Sequence, residues 1–336
     1  YFYHQIGVFQ IKKDRTRGTK GDKGKFRVLT VLIFFSVLLT GYAVNFDAGD
    51  PLQQLPALGA IKEPRVLDQE ERPQIDIIAA NAFLWDVDAN TVLYEKDSDK
   101  PIAPASTAKL LTALTVLDYC EAEEEVQVGG EVNLIASDAS RAWVTPGSRL
   151  TVSQLLDALL LPSGNDAAYA LAVFTAKKIA DNDSLTADDA VAVFVQAMNE
   201  KAIAIRAEHS HFLTPDGYDR EGQYTTAHDL AIIAREVVNN KLLREITSSN
   251  QISDTWLSGQ RAALTNTNEL INPSSPYYYT AATGLKTGKS EAAGKCLVSS
   301  AKINGDLYIC VVMGSSEAGR WQDSIDLYEA AKAYAL

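Results

Sequence analysis

The chain alternates between strand-like segments near its two ends and helix-like segments in its middle. Five segments show a strand pattern, namely residues 75–85, 91–94, 283–288, 295–303 and 306–314. The first two flank a turn rich in Asp and Asn, and the last two flank Asn304-Gly305, a dipeptide typical of two-residue hairpins. A closing helix is predicted from about Arg320 to Leu336.

The middle of the chain has the spacing of amphipathic helices. Thr151 and Gln154 form the pattern of a capping box, Asp166 is predicted to cap a helix over residues 167–180, and Thr226 a helix that ends at Val238. Further helices are predicted after Pro104 and over residues 187–206. Strands at both ends and helices between them predict an α/β fold, in which an antiparallel sheet built from both ends of the domain carries flanking helices beside an all-helical lobe.

Charge divides the chain into two unequal parts. Residues 1–27 hold eight Lys or Arg against two Asp, whereas the whole chain of 336 residues carries −12. Val28–Val44 is uncharged and apolar, which predicts a membrane segment with the N-terminus in the cytoplasm. A retained anchor is favoured, although Gly41-Tyr42-Ala43 also has the form of a signal-peptidase site. A basic nucleic-acid-binding tail is disfavoured, because an apolar segment follows it directly.

The predicted organisation therefore has four parts. They are a basic cytoplasmic tail (1–27), a membrane anchor or signal segment (28–44), a linker (45–74) and one exported catalytic domain (75–336). The exported domain would act on the outer face of the cytoplasmic membrane, or be secreted if the apolar segment is cleaved.

The cysteines and histidines give no sign of a disulfide framework or a metal site. A two-residue turn at Asn304-Gly305 would pair Ile303 with Asp306, which sets Cys296 opposite Met313 and Cys310 opposite Ser299. The two cysteines are then out of register, so buried free thiols are predicted. The four histidines lack metal-ligand spacing, and we expect neither a metal nor another cofactor.

The candidate chemistry begins at Ser106-x-x-Lys109. At the start of a helix, residues three apart share one face, so the Lys109 amine would lie beside the Ser106 hydroxyl. The pair alone is weak evidence, because Ser299-x-x-Lys302 has the same spacing. That second pair lies in a predicted strand, where positions three apart point to opposite faces, and it is discarded.

Two more motifs follow in a fixed order. Ser163-Gly164-Asn165 lies at a break between two predicted helices, and Lys286-Thr287-Gly288 lies in a predicted strand. Another Ser-x-Asn, at residues 248–250, lacks this context. Together with Ser106-x-x-Lys109, the ordered set is that of penicillin-binding proteins and class A β-lactamases.

Longer stretches make the resemblance specific. The segments Pro104-Ala105-Ser106-Thr107-Ala108-Lys109-Leu110, residues 161–168, residues 224–231 and Leu285-Lys286-Thr287-Gly288 resemble the D-alanyl-D-alanine carboxypeptidases, the low-molecular-weight penicillin-binding serine peptidases. The resemblance runs from about Ile75 to Leu336 and implies a β-lactamase/transpeptidase-like fold. One loop departs from it, because Thr214-Pro215-Asp216-Gly217 stands where the family usually has Asn-Pro-His-Gly.

Many family members also carry a C-terminal β-rich domain and an amphipathic membrane helix. Neither is present up to Leu336. Anchoring by the N-terminal segment and a truncated sequence are the two expectations left open.

The resemblance implies removal of the last D-alanine from peptidoglycan stem peptides through an acyl-enzyme, with penicillins as covalent inhibitors. Ser106 would be the nucleophile and Lys109 its base, with a pKa lowered by burial and by the nearby positive charge of Lys286. Ser163 would be a proton relay. Asn165 would bind the substrate backbone, while Gly288 would leave room for it along the strand edge. The substrate carboxylate would lie against Lys286 and Thr287, and the backbone N–H groups of Ser106 and Lys289 would form the oxyanion hole.

Three alternatives remain. A class A-like β-lactamase or an esterase would use the same nucleophile on another acyl group, and Glu200 is the candidate deacylating base by position. The helical pattern places Glu200 on the polar side of its helix, which disfavours that role. A non-catalytic wall-binding protein would keep the fold and lose the chemistry, which the intact motifs disfavour.

Overall fold

The computed structural model describes residues 64–68 and 70–334 of the chain. The predicted basic tail (1–27) and membrane segment (28–44) lie outside the described residues, as does most of the predicted linker (45–74). Within residues 64–68 and 70–334, no helix has both the length and the hydrophobicity required to cross a bilayer.

A six-stranded sheet runs through the fold in the order β1-β3-β2-β10-β9-β8. The ten strands found in the described residues are β1 (Arg65–Val66), β2 (Asn81–Asp86), β3 (Thr91–Lys96), β4 (Glu125–Gln127), β5 (Arg149–Thr151), β6 (Gln251–Thr255), β7 (Arg261–Thr265), β8 (Ala282–Ser290), β9 (Gly294–Ile303) and β10 (Asp306–Ser315). The short strands pair separately, β4 with β5 and β6 with β7. The central pair β2–β10 joins the two ends of the domain, which confirms the predicted sheet.

The sheet departs from the prediction at its first strand. β1 lies within the predicted linker and pairs parallel to β3, so the sheet is mixed rather than fully antiparallel. Both residues of β1 are exposed, so no apolar alternation marks the strand in the sequence. β2 begins at Asn81 rather than Ile75, because the backbone N–H groups of Ile78 and Ala79 are bound by a side chain instead of a neighbouring strand.

The β9–β10 hairpin follows the predicted register along most of its length. Ile303 pairs with Asp306 and Ser299 with Cys310, as Asn304-Gly305 requires. The predicted pairing of Cys296 with Met313 does not form, because a bulge shifts the register between Val312 and Ser315. Cys120, Cys296 and Cys310 are free and buried, which confirms the prediction about the thiols.

Seven α-helices lie in the described part of the chain: α1 (Lys109–Tyr119), α2 (Val152–Leu160), α3 (Asn165–Ile179), α4 (Ala187–Ala204), α5 (Ala227–Asn239), α6 (Lys241–Ser248) and α7 (Gly319–Tyr334). The Thr151 and Gln154 side chains make both bonds of the capping box, and Thr226 accepts from the Asp229 N–H, as predicted. α6 and the pairs β4–β5 and β6–β7 were not predicted. Asp166 does not cap α3, since Gly164 holds that position.

The sheet separates two hydrophobic clusters. One face packs against α5, and its hydrophobic cluster, which includes Phe83, Leu111 and Val311, continues into the lobe of α1, α2, α3 and α4. The other face packs against α7, in a cluster that includes Leu84 and Tyr328. Residues next to each other along β2 thus serve opposite clusters, as the two-residue period of a strand requires.

A buried carboxylate ties α7 to the start of the sheet. Asp323 accepts hydrogen bonds from the backbone N–H groups of Ile78 (3.0 Å) and Ala79 (2.9 Å) and from the Ser315 hydroxyl (2.9 Å). The interaction joins chain segments more than 240 residues apart. It fixes how the N-terminal strands meet the C-terminal helix.

Replacing this carboxylate should therefore destabilise the fold. Asp323→Ala leaves buried donors without acceptors, and we expect the free energy of unfolding to fall by about 2–4 kcal/mol. Urea denaturation measures this change. Asp326→Ala on the same helix, which removes a surface bond to Gln322, is the matched control and should change it by less than about 0.5 kcal/mol. Equal effects of the two variants would contradict the assigned role.

Candidate active site

A short 3₁₀ turn presents Ser106 beside Lys109. The turn spans Ala105–Ala108 and continues directly into α1, so Ser106 lies at the start of the helical segment, as predicted. The Lys109 Nζ lies 2.8 Å from the Ser106 Oγ. The spacing of three residues therefore brings hydroxyl and amine into hydrogen-bond contact.

The Lys109 amine is enclosed on all sides. Its side chain is completely buried, and Nζ also donates to Asn165 Oδ1 (2.8 Å) and to the backbone carbonyl of Asp216 (2.9 Å). Three acceptors from three separate segments surround one nitrogen. Of these three acceptors only the Ser106 hydroxyl carries a proton that an amine can remove, so Ser106 is the side chain that Lys109 can activate.

Burial lowers the pKa of Lys109 to about 8, while the negative charges of Asp216 and Asp166 oppose the decrease. Lys286 is also buried, and burial lowers its pKa well below the ordinary value, with further lowering by Lys109 and Arg320. Of the two causes predicted for the lowered pKa of Lys109, burial is the larger, because it acts directly on the charged form of the amine.

Ser163 lies in the tight loop between α2 and α3. Its φ is +66° and its side chain is 5% exposed. Among the described residues its hydroxyl has no hydrogen-bond partner, so it is available to a ligand or a proton. The Asp166 carboxylate holds the neighbouring segment by accepting from the backbone N–H groups of Ala142 and Val144.

Lys286, Thr287 and Gly288 lie on β8, the edge strand of the sheet. The Lys286 amine donates to the Thr287 carbonyl at 3.2 Å, and the Thr287 hydroxyl lies 2.5 Å from that of Thr267. The free edge of β8 can add a further extended chain.

Gly288 packs against the turn that carries Ser106. A Cβ atom there would lie 3.2 Å from Thr107 Cγ2 and 3.3 Å from Ala105 Cβ. The missing side chain thus lets β8 pack closely on this turn, and the expected room for substrate along the strand edge stays a prediction.

Ser106, Asn165 and Lys289 line a cleft of about 500 Å³. Sequence reasoning missed most of its rim, which includes Asp138, Ser140, Asp216, Tyr218, Asp219 and Glu291. Tyr218 and Asp138 close one side, with a hydrogen bond of 3.0 Å between the phenol and the carboxylate. The departure of residues 214–217 from the family pattern was the feature of the sequence that could have pointed to this part of the rim.

Arg320 was also missed. It lies in α7 behind β8, where its guanidinium donates to the Gly288 carbonyl at 3.3 Å and pairs with Glu317. Together with Lys109, Arg320 is one of two positive groups close enough to lower the pKa of Lys286. No local signal marks this residue in the sequence, because the contact between α7 and β8 depends on the tertiary fold.

The discarded pair remains separate from the cleft. Ser299 is buried in β9 and bonds to the Tyr328 hydroxyl at 2.8 Å, whereas Lys302 is exposed. No cluster of three or more His, Cys, Asp or Glu side chains suited to a metal occurs in residues 64–68 and 70–334.

Known proteins are similar to this chain in both sequence and fold. A family described as D-alanyl-D-alanine carboxypeptidase matches residues 68–317. D-alanyl-D-alanine carboxypeptidase DacB2 of Mycobacterium tuberculosis is 34% identical over 250 residues, which cover 73% of this chain and 79% of that protein. DacF of Bacillus subtilis, with the same description, is 31% identical over 242 residues, which cover 71% of this chain but only 58% of the relative.

The solved structures agree with this likeness. The crystal structure of the Streptomyces K15 DD-transpeptidase aligns with a TM-score of 0.70 and 29% identity, covering 78% of this chain and 99% of that protein. The D-alanyl-D-alanine carboxypeptidase of Mycobacterium tuberculosis aligns with a TM-score of 0.67 and 30% identity, covering 79% and 95%.

Proposed function

The chain belongs to the D-alanyl-D-alanine carboxypeptidase family, and we propose that it is a serine-type peptidase that removes the terminal D-alanine from peptidoglycan stem peptides. One observation carries the proposal: the Ser106 hydroxyl, at the wall of a cleft, lies in hydrogen-bond contact with a fully buried lysine amine. That arrangement suits nucleophilic acyl transfer.

Acylation would begin with attack of Ser106 Oγ on the carbonyl carbon of the D-Ala-D-Ala peptide bond. The free amine of Lys109 would take the hydroxyl proton as the new C–O bond forms. Because burial lowers the pKa of Lys109 to about 8, a useful fraction of the amine is neutral near pH 7. The carbonyl oxygen, now negatively charged, would accept hydrogen bonds from the N–H groups of Ser106 and Lys289.

Collapse of the tetrahedral intermediate would break the C–N bond and release D-alanine. The leaving nitrogen needs a proton, and we assign its delivery to Ser163 as a relay, because its buried hydroxyl has no other partner among the described residues. Ser163 would give its proton to the nitrogen and regain the one that Lys109 took from Ser106, which leaves Lys109 a free amine again. Water would then attack the ester while Lys109 takes a proton from it, and return of that proton to Ser106 Oγ as the ester C–O bond breaks completes the cycle.

The terminal carboxylate of the substrate would lie against Lys286 and Thr287. A bound carboxylate would favour the charged form of the Lys286 amine, whose pKa burial has lowered. Asn165 already uses its oxygen and one N–H within the protein, so its second N–H is the group for the substrate backbone. Selection for a free carboxylate explains why the enzyme would trim chain ends.

The proposal predicts which residue a penicillin modifies. A β-lactam acylates the same nucleophile, so fluorescent penicillin should label wild-type protein on the peptide containing Ser106. Ser106→Ala should lose both the label and the release of D-alanine from a diacyl-Lys-D-Ala-D-Ala peptide. Ser299→Ala is the control and should keep both. Undiminished labelling of Ser106→Ala would contradict the assignment.

The β-lactamase alternative needs a carboxylate that activates water for deacylation. Glu200 is exposed on α4, bonds to Gln196 at 2.9 Å and does not line the cleft. This placement disfavours rapid hydrolysis of the penicilloyl-enzyme. The contact between Ser106 and Lys109 likewise disfavours a purely wall-binding protein.

The penicilloyl-enzyme should therefore persist for many minutes, while the peptide acyl-enzyme turns over. The decay of the fluorescent label, followed beside D-alanine release, measures the contrast. Glu200→Gln should leave both rates unchanged, because the side chain lies away from the cleft. Rapid penicillin hydrolysis that this substitution eliminates would favour a β-lactamase instead.

For localisation, we propose export with Val28–Val44 as a retained anchor, residues 45–63 as part of a tether, and residues 1–27 in the cytoplasm. The acidic catalytic part would then work outside the cytoplasmic membrane, where cell-wall peptides lie. The apolar segment and its basic flank support this arrangement.

A retained anchor predicts that the mature protein stays with membranes after a carbonate wash. A variant that starts near Pro51 should be released into solution with its D-alanine release unchanged, because it keeps every cleft residue. Sequencing the mature N-terminus decides between the two forms. A chain that begins at Val44 would show a cleaved signal.

A further inference from the structure

We infer that Asp216 is a positioning residue, whose buried carboxylate orients the Asn165 amide toward Lys109 and so sets the pH range in which Lys109 accepts the Ser106 proton. The inference rests on the proposed acyl transfer at Ser106. Asp216 lies in the one loop that departs from the family pattern, Thr214-Pro215-Asp216-Gly217.

This loop is fixed tightly against the turn that carries Ser106. Gly217 has φ +76°, and a Cβ atom there would lie 1.9 Å from the Ala105 carbonyl oxygen. Only glycine fits so close an approach. The contact places the Asp216 carbonyl 2.9 Å from the Lys109 amine, so small movements of the loop would act directly on the base.

The carboxylate of Asp216 accepts two hydrogen bonds at once. One oxygen accepts from the Asn165 amide nitrogen at 2.6 Å, and the other accepts from the backbone N–H of Tyr218 at 3.0 Å. The residue is 1% exposed, so water does not replace either partner. An asparagine, or a histidine as in the family pattern, cannot offer two acceptor atoms in these positions.

The carboxylate therefore decides which way the Asn165 amide faces. Because a carboxylate only accepts, the Asn165 NH₂ group must face Asp216 and the oxygen must face Lys109, where it accepts from Nζ at 2.8 Å. In the reversed amide an N–H would face the lysine, which an ammonium group cannot accept. The observed orientation favours the protonated form of Lys109.

Charge acts in the same direction as orientation. The negative charges of Asp216 and Asp166 raise the pKa of Lys109 against the lowering by burial, and Lys286 is the positive group that faces it from β8. Asp166 also binds the backbone of Ala142 and Val144. Asp216, by contrast, is connected to Lys109 by the side-chain amide of Asn165, which donates to the carboxylate and accepts from the amine.

The test compares the titration of Lys109 in wild-type protein and in Asp216→Asn. The NMR signal of the lysine side chain, assigned by its loss in Lys109→Arg, reports protonation without requiring activity. We expect the midpoint to fall by about one pH unit or more in Asp216→Asn. The acidic limb of acylation by fluorescent penicillin should move to lower pH by the same amount. If Asp216 had a purely structural role, Asp216→Asn would change the acylation rate without moving the acidic limb of its pH dependence.

Asp183→Asn is the matched control, because it removes one negative charge from an exposed loop. It should leave the Lys109 midpoint and the limb unchanged. Asp216→Ser, which is smaller and uncharged, should move the midpoint in the same direction as Asp216→Asn. If neither Asp216 variant folds, the wild-type Asp216 carboxyl signal must still change with the Lys109 midpoint, and a signal that does not change overturns the inference.

An unchanged midpoint in folded Asp216→Asn overturns the inference, even where D-alanine release is normal. Equal shifts in Asp216→Asn and Asp183→Asn also overturn it, since the effect would then be one of net charge. If the wild-type protein releases no D-alanine but the Lys109 midpoint still falls in Asp216→Asn, the result supports the coupling between Asp216 and Lys109. It then contradicts only the proposed substrate.

Discussion

The burial of one amine organises this molecule. Moving a lysine ammonium group out of water disfavours its charge, and here the fold completely buries Lys109 and lowers its pKa to about 8. Such a group is stable only with hydrogen-bond partners. The amine finds them in Ser106, in Asn165 and in the backbone of Asp216.

These partners come from distant parts of the sequence, which explains the architecture. The sheet is assembled from both ends of the domain. Its edge strand β8 packs closely on the turn that carries Ser106, because Gly288 has no side chain to separate them. The helical lobe contributes the Ser163-to-Asn165 loop from the other side. The cleft therefore exists only where sheet and lobe are both in place, and its electrostatics depend on that junction.

Local signals in the sequence predicted much of this arrangement. A capping box needs only two side chains three residues apart, so Thr151 and Gln154 were recognised directly, and Asn304-Gly305 fixed its hairpin register near the turn. The bulge near Gly314, the strand β1 and the contact of Arg320 with β8 depend on tertiary packing. The hydrogen-bonding roles of Asp166 and Asp216 were missed for the same reason, because their partners are remote in sequence, and Asp166 was instead predicted to cap a helix.

The central claim is that burial keeps Lys109 available as a free amine for the Ser106 proton. The pH dependence of the wild-type acylation rate tests it most directly, measured with a rapid-mixing assay from about pH 6 to pH 10. The account predicts a plateau at high pH and a tenfold fall per pH unit below a midpoint near pH 8. A rate that stays constant down to about pH 6, or still rises beyond pH 10, would contradict it.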